Sequence, residues 1–221
     1  MNHTLHRIAA ATLLAGFAAA AHADNVTFSG YANGSQNINY TIVSTPSALS
    51  GSTGAGGFLT TLNGGPSFVS FCVDLYQNLN FNTPYSSYTN VLGSSYGFTN
   101  PNADADLGKL FTAFGAVSTA SSTNSAAFQT AVWEIAYETA GTYSLSAGNA
   151  QFSGDAGATA LATIWLANLG TLDAVDIHVL SSRERQDVVF SAPVPEPGTY
   201  ALMGAGLAAL AFVARRRRPQ A

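Results

Sequence analysis

The chain carries one thiol, Cys72, and one histidine beyond residue 23, His178. A Ser-His-Asp or Cys-His arrangement would rest on His178 alone, within the alternating run Asp176-Ile177-His178-Val179, so no enzyme of that kind is expected. Glu134 and Glu138 lie one helical turn apart, a spacing that reads as a solvated acidic edge before it reads as an acid and base pair. Asp104 with Asp106, and Asp173 with Asp176, lack the spacing of an oxygen-ligand loop, and thiol and imidazole are too few for a transition metal. Neither a metal nor a cofactor is expected. No glycine-rich turn between strand and helix is present to cradle phosphate. Two segments remain whose side chains are unusual in their frame. In Phe71-Cys72-Val73-Asp74, a period of two puts Cys72 and Asp74 on the less apolar face of a strand. In Phe128-Gln129-Thr130-Ala131-Val132-Trp133-Glu134-Ile135, Gln129 and Trp133 stand one turn apart on a helix flank.

The elements that would position these residues can be read from periodicity. Val26 to Phe28 and Asn37 to Ile42 alternate like half-buried strands, with Asn33-Gly34 as a hairpin turn between them. Residues 44–57 are Ser, Thr, Gly and Ala apart from one Pro and one Leu, the composition of an exposed loop. A strand is predicted from Phe68 to Tyr76 and another from Tyr85 to Leu92, with Pro84 at its start. Helical periodicity runs through residues 105–117 behind Asp104, and through 125–138 behind Asn124, where Phe128, Val132 and Ile135 form the stripe that would cover a sheet. A third helix, 156–168, stops at Gly170, and strands return at 175–180 and 188–190. The expected fold is α+β and β-dominated, an antiparallel sheet, sandwich or barrel with about three helices in its middle, and a C-terminal transmembrane sorting helix.

The two segments resemble the paired motifs of bacterial thioester domains, which occur on surface adhesins. The resemblance implies an aromatic-Cys-aliphatic strand supplying the thiol and a helix supplying the side-chain amide, the two condensing with loss of ammonia. Cys72 would be the thiol and Gln129 the acyl donor, with Ala131, Val132 and Trp133 at the matching packing positions. Phe128 departs from that pattern, which has Thr. Because an amide is a poor acyl donor, the reaction needs the thiol held against the Gln129 carbonyl and water kept out. Asp74 is the nearest candidate in the sequence to relay a proton, and Trp133 could roof the bond. The implied partner is a surface amine or hydroxyl, or an exopolysaccharide. The alternative is a passive structural or polysaccharide-matrix-binding envelope protein with a free, buried Cys72.

The ends of the 221-residue chain read as addresses. Residues 1–23 have His3, His6 and Arg7, an apolar stretch, and Ala21-His22-Ala23, the layout of a secretory signal peptide rather than a retained anchor. Residues 24–193 are expected to be one β-rich globular domain. Residues 194–221 open with Val194-Pro195-Glu196-Pro197, where the prolines stop regular structure. An uncharged stretch follows, then Arg215, Arg216, Arg217 and Arg218, which hold that end in the cytoplasm. By these residues alone this is a short membrane span of the tail-anchor kind. In its order of motif, span and basic end it resembles the PEP-CTERM sorting signal of Gram-negative bacteria. That resemblance implies signal peptidase and exosortase as processing partners, a transient inner-membrane anchor, and a destination in the periplasm, at the cell surface or outside. Composition agrees with export: 47% of residues are apolar, only 9% are charged, and a lone cysteine cannot close an intramolecular disulfide. Between Asp24 and Val194 three basic residues face eleven acidic ones. Such a body repels a phosphate backbone, so nucleic acid is not an expected partner.

Overall fold

A computed structural model describes residues 23–139, 141–191 and 207. The signal-peptide segment and nearly all of the sorting segment, including Val194, Pro195, Glu196, Pro197 and Arg215 to Arg218, lie outside the described residues. Among those described, no helix is long and apolar enough to cross a membrane. The described residues form a β-dominated α+β fold with two sheets and three α-helices. Strands β1 (Asp24–Tyr31), β4 (Phe58–Leu62), β5 (Ser67–Cys72), β9 (Val188–Ser191), β8 (Ile177–Ser181) and β6 (Pro84–Leu92) close, in that spatial order, into an antiparallel barrel. A second sheet of three strands has β2 (Gln36–Ile42) between β3 (Leu49–Ala55) and β7 (Ala150–Gly154).

Helices α1 (Ala103–Phe114) and α2 (Ser122–Tyr137) fall between β6 and β7, and α3 (Ala156–Ala167) between β7 and β8. Each start has a local cause. Asp104 and Asp106 lie in the first turn of α1, where negative charge meets the positive helix end. The Ser121 hydroxyl accepts the Asn124 N–H at 3.0 Å, so α2 begins three residues ahead of the expected start at Ser125. Asp155 caps α3 by accepting the Ala158 N–H at 2.8 Å.

Helix α2 is the centre of the molecule. It packs against α1 and α3, against β5 of the barrel, and against all three strands of the second sheet. Every residue from Ser125 to Glu138 is buried, so the helix has no solvated face where an apolar stripe alone was expected. Glu134 and Glu138, expected on a solvated edge, are among them. Their place is set by the loop that follows: Glu134 Oε1 accepts the Ser144 N–H at 2.6 Å, and Glu138 Oε2 accepts the Asn149 N–H at 2.9 Å.

Three further expectations are corrected. Asn33-Gly34 turns the chain, with Gly34 at φ +76°, but β1 and β2 do not form a hairpin. Both edges of β1 are taken by β4 and β6, so the turn carries the chain from barrel to second sheet. The segment expected to be loop contains β3, whose register pairs Gly51 with Tyr40 of β2. A side chain at Gly51 would begin 2.6 Å from the Tyr40 hydroxyl, so the tyrosine occupies the space where a β3 side chain would stand. The strand expected to reach Tyr76 stops at Cys72, because the Asp74 carboxylate turns back to accept the Tyr76 N–H at 2.8 Å.

Candidate functional site

Cys72 is the last residue of β5, and its position there explains its neighbours. On one side Phe71 and Cys72 are in register with Val189 and Val188 of β9, and the next residue, Val73, donates its N–H to the Asp187 carbonyl at 2.9 Å. On the other side β4 does not reach it, since β4 begins at Phe58, whose partner is Ser70, and its pairing with β5 runs from there to Thr61 with Ser67. The N–H and C=O of Cys72 therefore face helix α2 rather than a strand. Gln129 satisfies both. Its Oε1 accepts the Cys72 N–H at 2.8 Å and its Nε2 donates to the Cys72 carbonyl at 2.7 Å. The carboxamide is fixed in plane and in orientation, each of its atoms assigned by a backbone group of known polarity.

The thiol is 1% exposed and is not in a disulfide. Its Sγ donates to the main-chain carbonyl of Asp74 at 3.0 Å, and the same carbonyl accepts Gln186 Nε2 at 3.0 Å. Asp74 thus touches the thiol through its backbone, while its carboxylate holds the turn at Tyr76. Burial pushes the Cys72 thiol far above its ordinary range, against the opposing influence of the Trp133 indole. Burial also raises the Asp74 carboxyl, with the charge on Asp187 adding to it. A thiol so placed keeps its proton at neutral pH, so attack on a carbonyl has to be concerted with proton loss.

Trp133 is 1% exposed and stacks on Phe152 with ring centroids 6.0 Å apart and planes 15° from parallel. Its indole N–H has no hydrogen bond of ordinary geometry, yet it is near enough to Cys72 to favour the thiolate. Phe128 packs on Phe71 at 4.5 Å and on Phe111 at 5.0 Å. The side chains that precede Gln129 and Cys72 in sequence are therefore in contact with each other, and this aromatic pair seats α2 on the end of β5.

Tyr137, Gln186 and Asp187 were not singled out from the sequence. Tyr137 follows Gln129 and Trp133 at steps of four, the one signal that could have placed it on their side of α2. Its hydroxyl accepts the Leu75 N–H at 3.0 Å, beside the thiol. Gln186 and Asp187 arrive from the β8–β9 connection, and nothing local in the sequence links them to Cys72. Asp187 is buried and accepts from Ser182 N–H at 2.6 Å and from the Tyr96 hydroxyl at 2.8 Å. Elsewhere, His178 meets Asn90 Oδ1 at 3.0 Å and lies against the Phe190 ring. Asp106 pairs with Lys109 at 2.8 Å. Among the described residues no group of three or more His, Cys, Asp and Glu side chains could hold a metal ion.

Residues 193–218 match the family described as the PEP-CTERM protein-sorting motif. No curated protein and no solved structure matches the chain. The motif match supports an exported protein that is sorted through exosortase and anchored transiently in the membrane.

Proposed function

We propose that the exported domain of this sorting substrate closes an internal thioester between Cys72 and Gln129 and uses it to attach covalently to a partner at the cell surface or in the surrounding matrix. The observation that carries the reading is the clamp of the Gln129 carboxamide on both backbone groups of Cys72, 2.8 and 2.7 Å, with both residues buried.

The clamp suits the reaction. As the Cys72 sulphur adds to the Gln129 carbonyl carbon, negative charge grows on Oε1, which already accepts the Cys72 N–H. A donor fixed in advance, in a low-dielectric site, stabilises such an oxyanion more than water would. The leaving nitrogen is held by the Cys72 carbonyl on the same strand edge. The thiol proton moves to that nitrogen, the C–N bond breaks and ammonia departs, leaving a C–S bond. Fixed geometry takes the place of chemical activation of the amide. The thioester is an electrophile for an amine or hydroxyl and is consumed once per molecule, so the domain would act stoichiometrically and not as an enzyme. Processing at Val194-Pro195-Glu196-Pro197 would then free the domain from its anchor.

Intact mass tests this. The purified protein is expected to weigh one ammonia less than its sequence and to gain one methylamine on treatment, whereas Cys72→Ala shows neither change. A full sequence mass with one thiol that alkylates on denaturation would refute the cross-link, and would leave Gln129 as a buried cap on the end of β5.

A further inference from the structure

Cys72, Gln129 and Trp133 are each about 1% exposed, so a partner needs a route to them. A hollow of about 250 Å³ opens over the residues that follow the thiol, lined by Val73 and Asp74 and by the rings of Tyr76, Tyr96, Phe98 and Tyr137. A larger one, about 560 Å³, lies along the barrel wall, with the hydroxyls of Ser87, Thr89, Ser95 and Ser181 and the opposite charges of Arg183 and Glu184. Tyr96 and Gly97 line both.

We propose that the two hollows form one groove that binds a neutral oligosaccharide chain, with the end of the chain in the smaller hollow beside Cys72. Ser87 and Thr89 are alternate residues of β6 and share a face, and Thr89 is the register partner of Ser181 on β8, so the hydroxyls form a fixed row. In the larger hollow, hydroxyls, one guanidinium and one carboxylate supply donors and acceptors without net charge, as a polyhydroxylated neutral ligand requires. Arg183 disfavours a cation there, and Glu184 with Asp74 disfavours a phosphate chain. The four rings of the smaller hollow offer apolar faces, three of them carrying a phenolic hydroxyl, suited to the C–H face of a sugar ring. Gly97, at the join, has no conformational or steric need to be glycine: a Cβ there would meet nothing within 4 Å. What its missing side chain preserves is open space between the hollows.

Delivery of the chain to Cys72 rests on the thioester reading, whereas binding in the groove does not. In the delivered state a sugar hydroxyl oxygen bonds to the Gln129 acyl carbon, the C–S bond breaks, and the hydroxyl proton passes to the Cys72 sulphur. The products are an ester and a free thiol.

The test uses the Cys72→Ala protein, in which covalent capture is impossible whatever the fate of the thioester reading. Calorimetric titration with linear β1,4- and α1,4-glucose tetrasaccharides, and separately with cadaverine as a cationic probe, is expected to show saturable binding of a tetrasaccharide, with a dissociation constant of about 1 mM or below, and none of cadaverine. Gly97→Leu, added to this protein, should weaken binding at least about tenfold with an unchanged thermal melt. Absence of tetrasaccharide binding, preference for cadaverine, or binding indifferent to Gly97→Leu would each overturn the groove. An absent mass deficit in the wild-type protein would overturn the cross-link alone.

Discussion

Glu134 offers a prediction whose sign and size follow from its surroundings. The side chain is 0% exposed, Oε1 accepts the Ser144 N–H at 2.6 Å, and Oε2 has no hydrogen-bond partner. Burial, with the charge of Glu138 adding to it and the Ser144 bond opposing it, pushes the carboxyl from an ordinary 4.5 up to about 8. Below about pH 4.5 the group is protonated whether the chain is folded or not. Between there and about pH 8 the folded protein keeps a proton that the unfolded chain has released, so stability falls as pH rises. The slope is about 1.4 kcal/mol per pH unit, and the whole interval is worth roughly 5 kcal/mol. Glu134→Gln keeps an acceptor for Ser144 and removes the titration. In urea unfolding at pH 4.5, 6, 7 and 8, its stability relative to wild type should rise steadily by up to about that amount, then level off. Asp74 and Asp187 are also raised by burial but are common to both proteins and cancel. Any constant offset from burying the new amide leaves the slope untouched. Parallel curves for the two proteins would refute the reasoning.

Removing the clamp has a separate cost from removing the cross-link. In a Cys72→Ala background, Gln129→Leu leaves the N–H and C=O of residue 72 buried without the 2.8 and 2.7 Å partners, and chemical unfolding should show a loss of about 2–5 kcal/mol. Gly148 sits at φ +92°, and a Cβ there would lie 2.0 Å from Glu138 Oε2, so Gly148→Ala should cost about 2–4 kcal/mol in the same assay. Gly97→Ala, with open space around its new methyl, should stay within about 0.5 kcal/mol of wild type.

The helices were legible because their signals are local. Asp104 and the apolar steps through α2 are each sufficient within a few residues, and the three helices start within three residues of the expected positions. Strands with bulky alternating residues, such as β2 with Ile38, Tyr40 and Ile42, were legible for the same reason. Strand β3, Leu-Ser-Gly-Ser-Thr-Gly-Ala, was not, since its core contact is made for it by the tyrosine of the neighbouring strand that lies over Gly51. The closure of the barrel could not be read either. It depends on β1 pairing with β4 and β6, partners that no turn signal in the sequence connects to it. The full burial of Glu134 and Glu138 was hidden because an acidic pair one turn apart looks solvated until the loop carrying Ser144 and Asn149 is known to close over it.

The site follows the same division. Cys72 and Gln129 were visible as residues, and their separation of 57 positions is bridged by a contact that helix and strand rules do not supply. What supplies it is a mismatch of lengths. β4 begins only at Phe58, opposite Ser70, while β5 runs on to Cys72, and two buried backbone groups are left facing a helix. A buried, unpaired N–H and C=O cost enough that some side chain must answer them. A carboxamide is the side chain that carries a donor and an acceptor in one plane at the required spacing. The clamp is therefore accounted for by strand length whether or not a bond forms, and it would already place the acyl group beside the only thiol in the chain. On this argument, lengthening β4 to pair with Cys72 would release Gln129 and abolish both the mass deficit and the methylamine uptake. A variant that keeps them with its residue 72 N–H protected from hydrogen exchange by a strand would show that the clamp does not position the reaction.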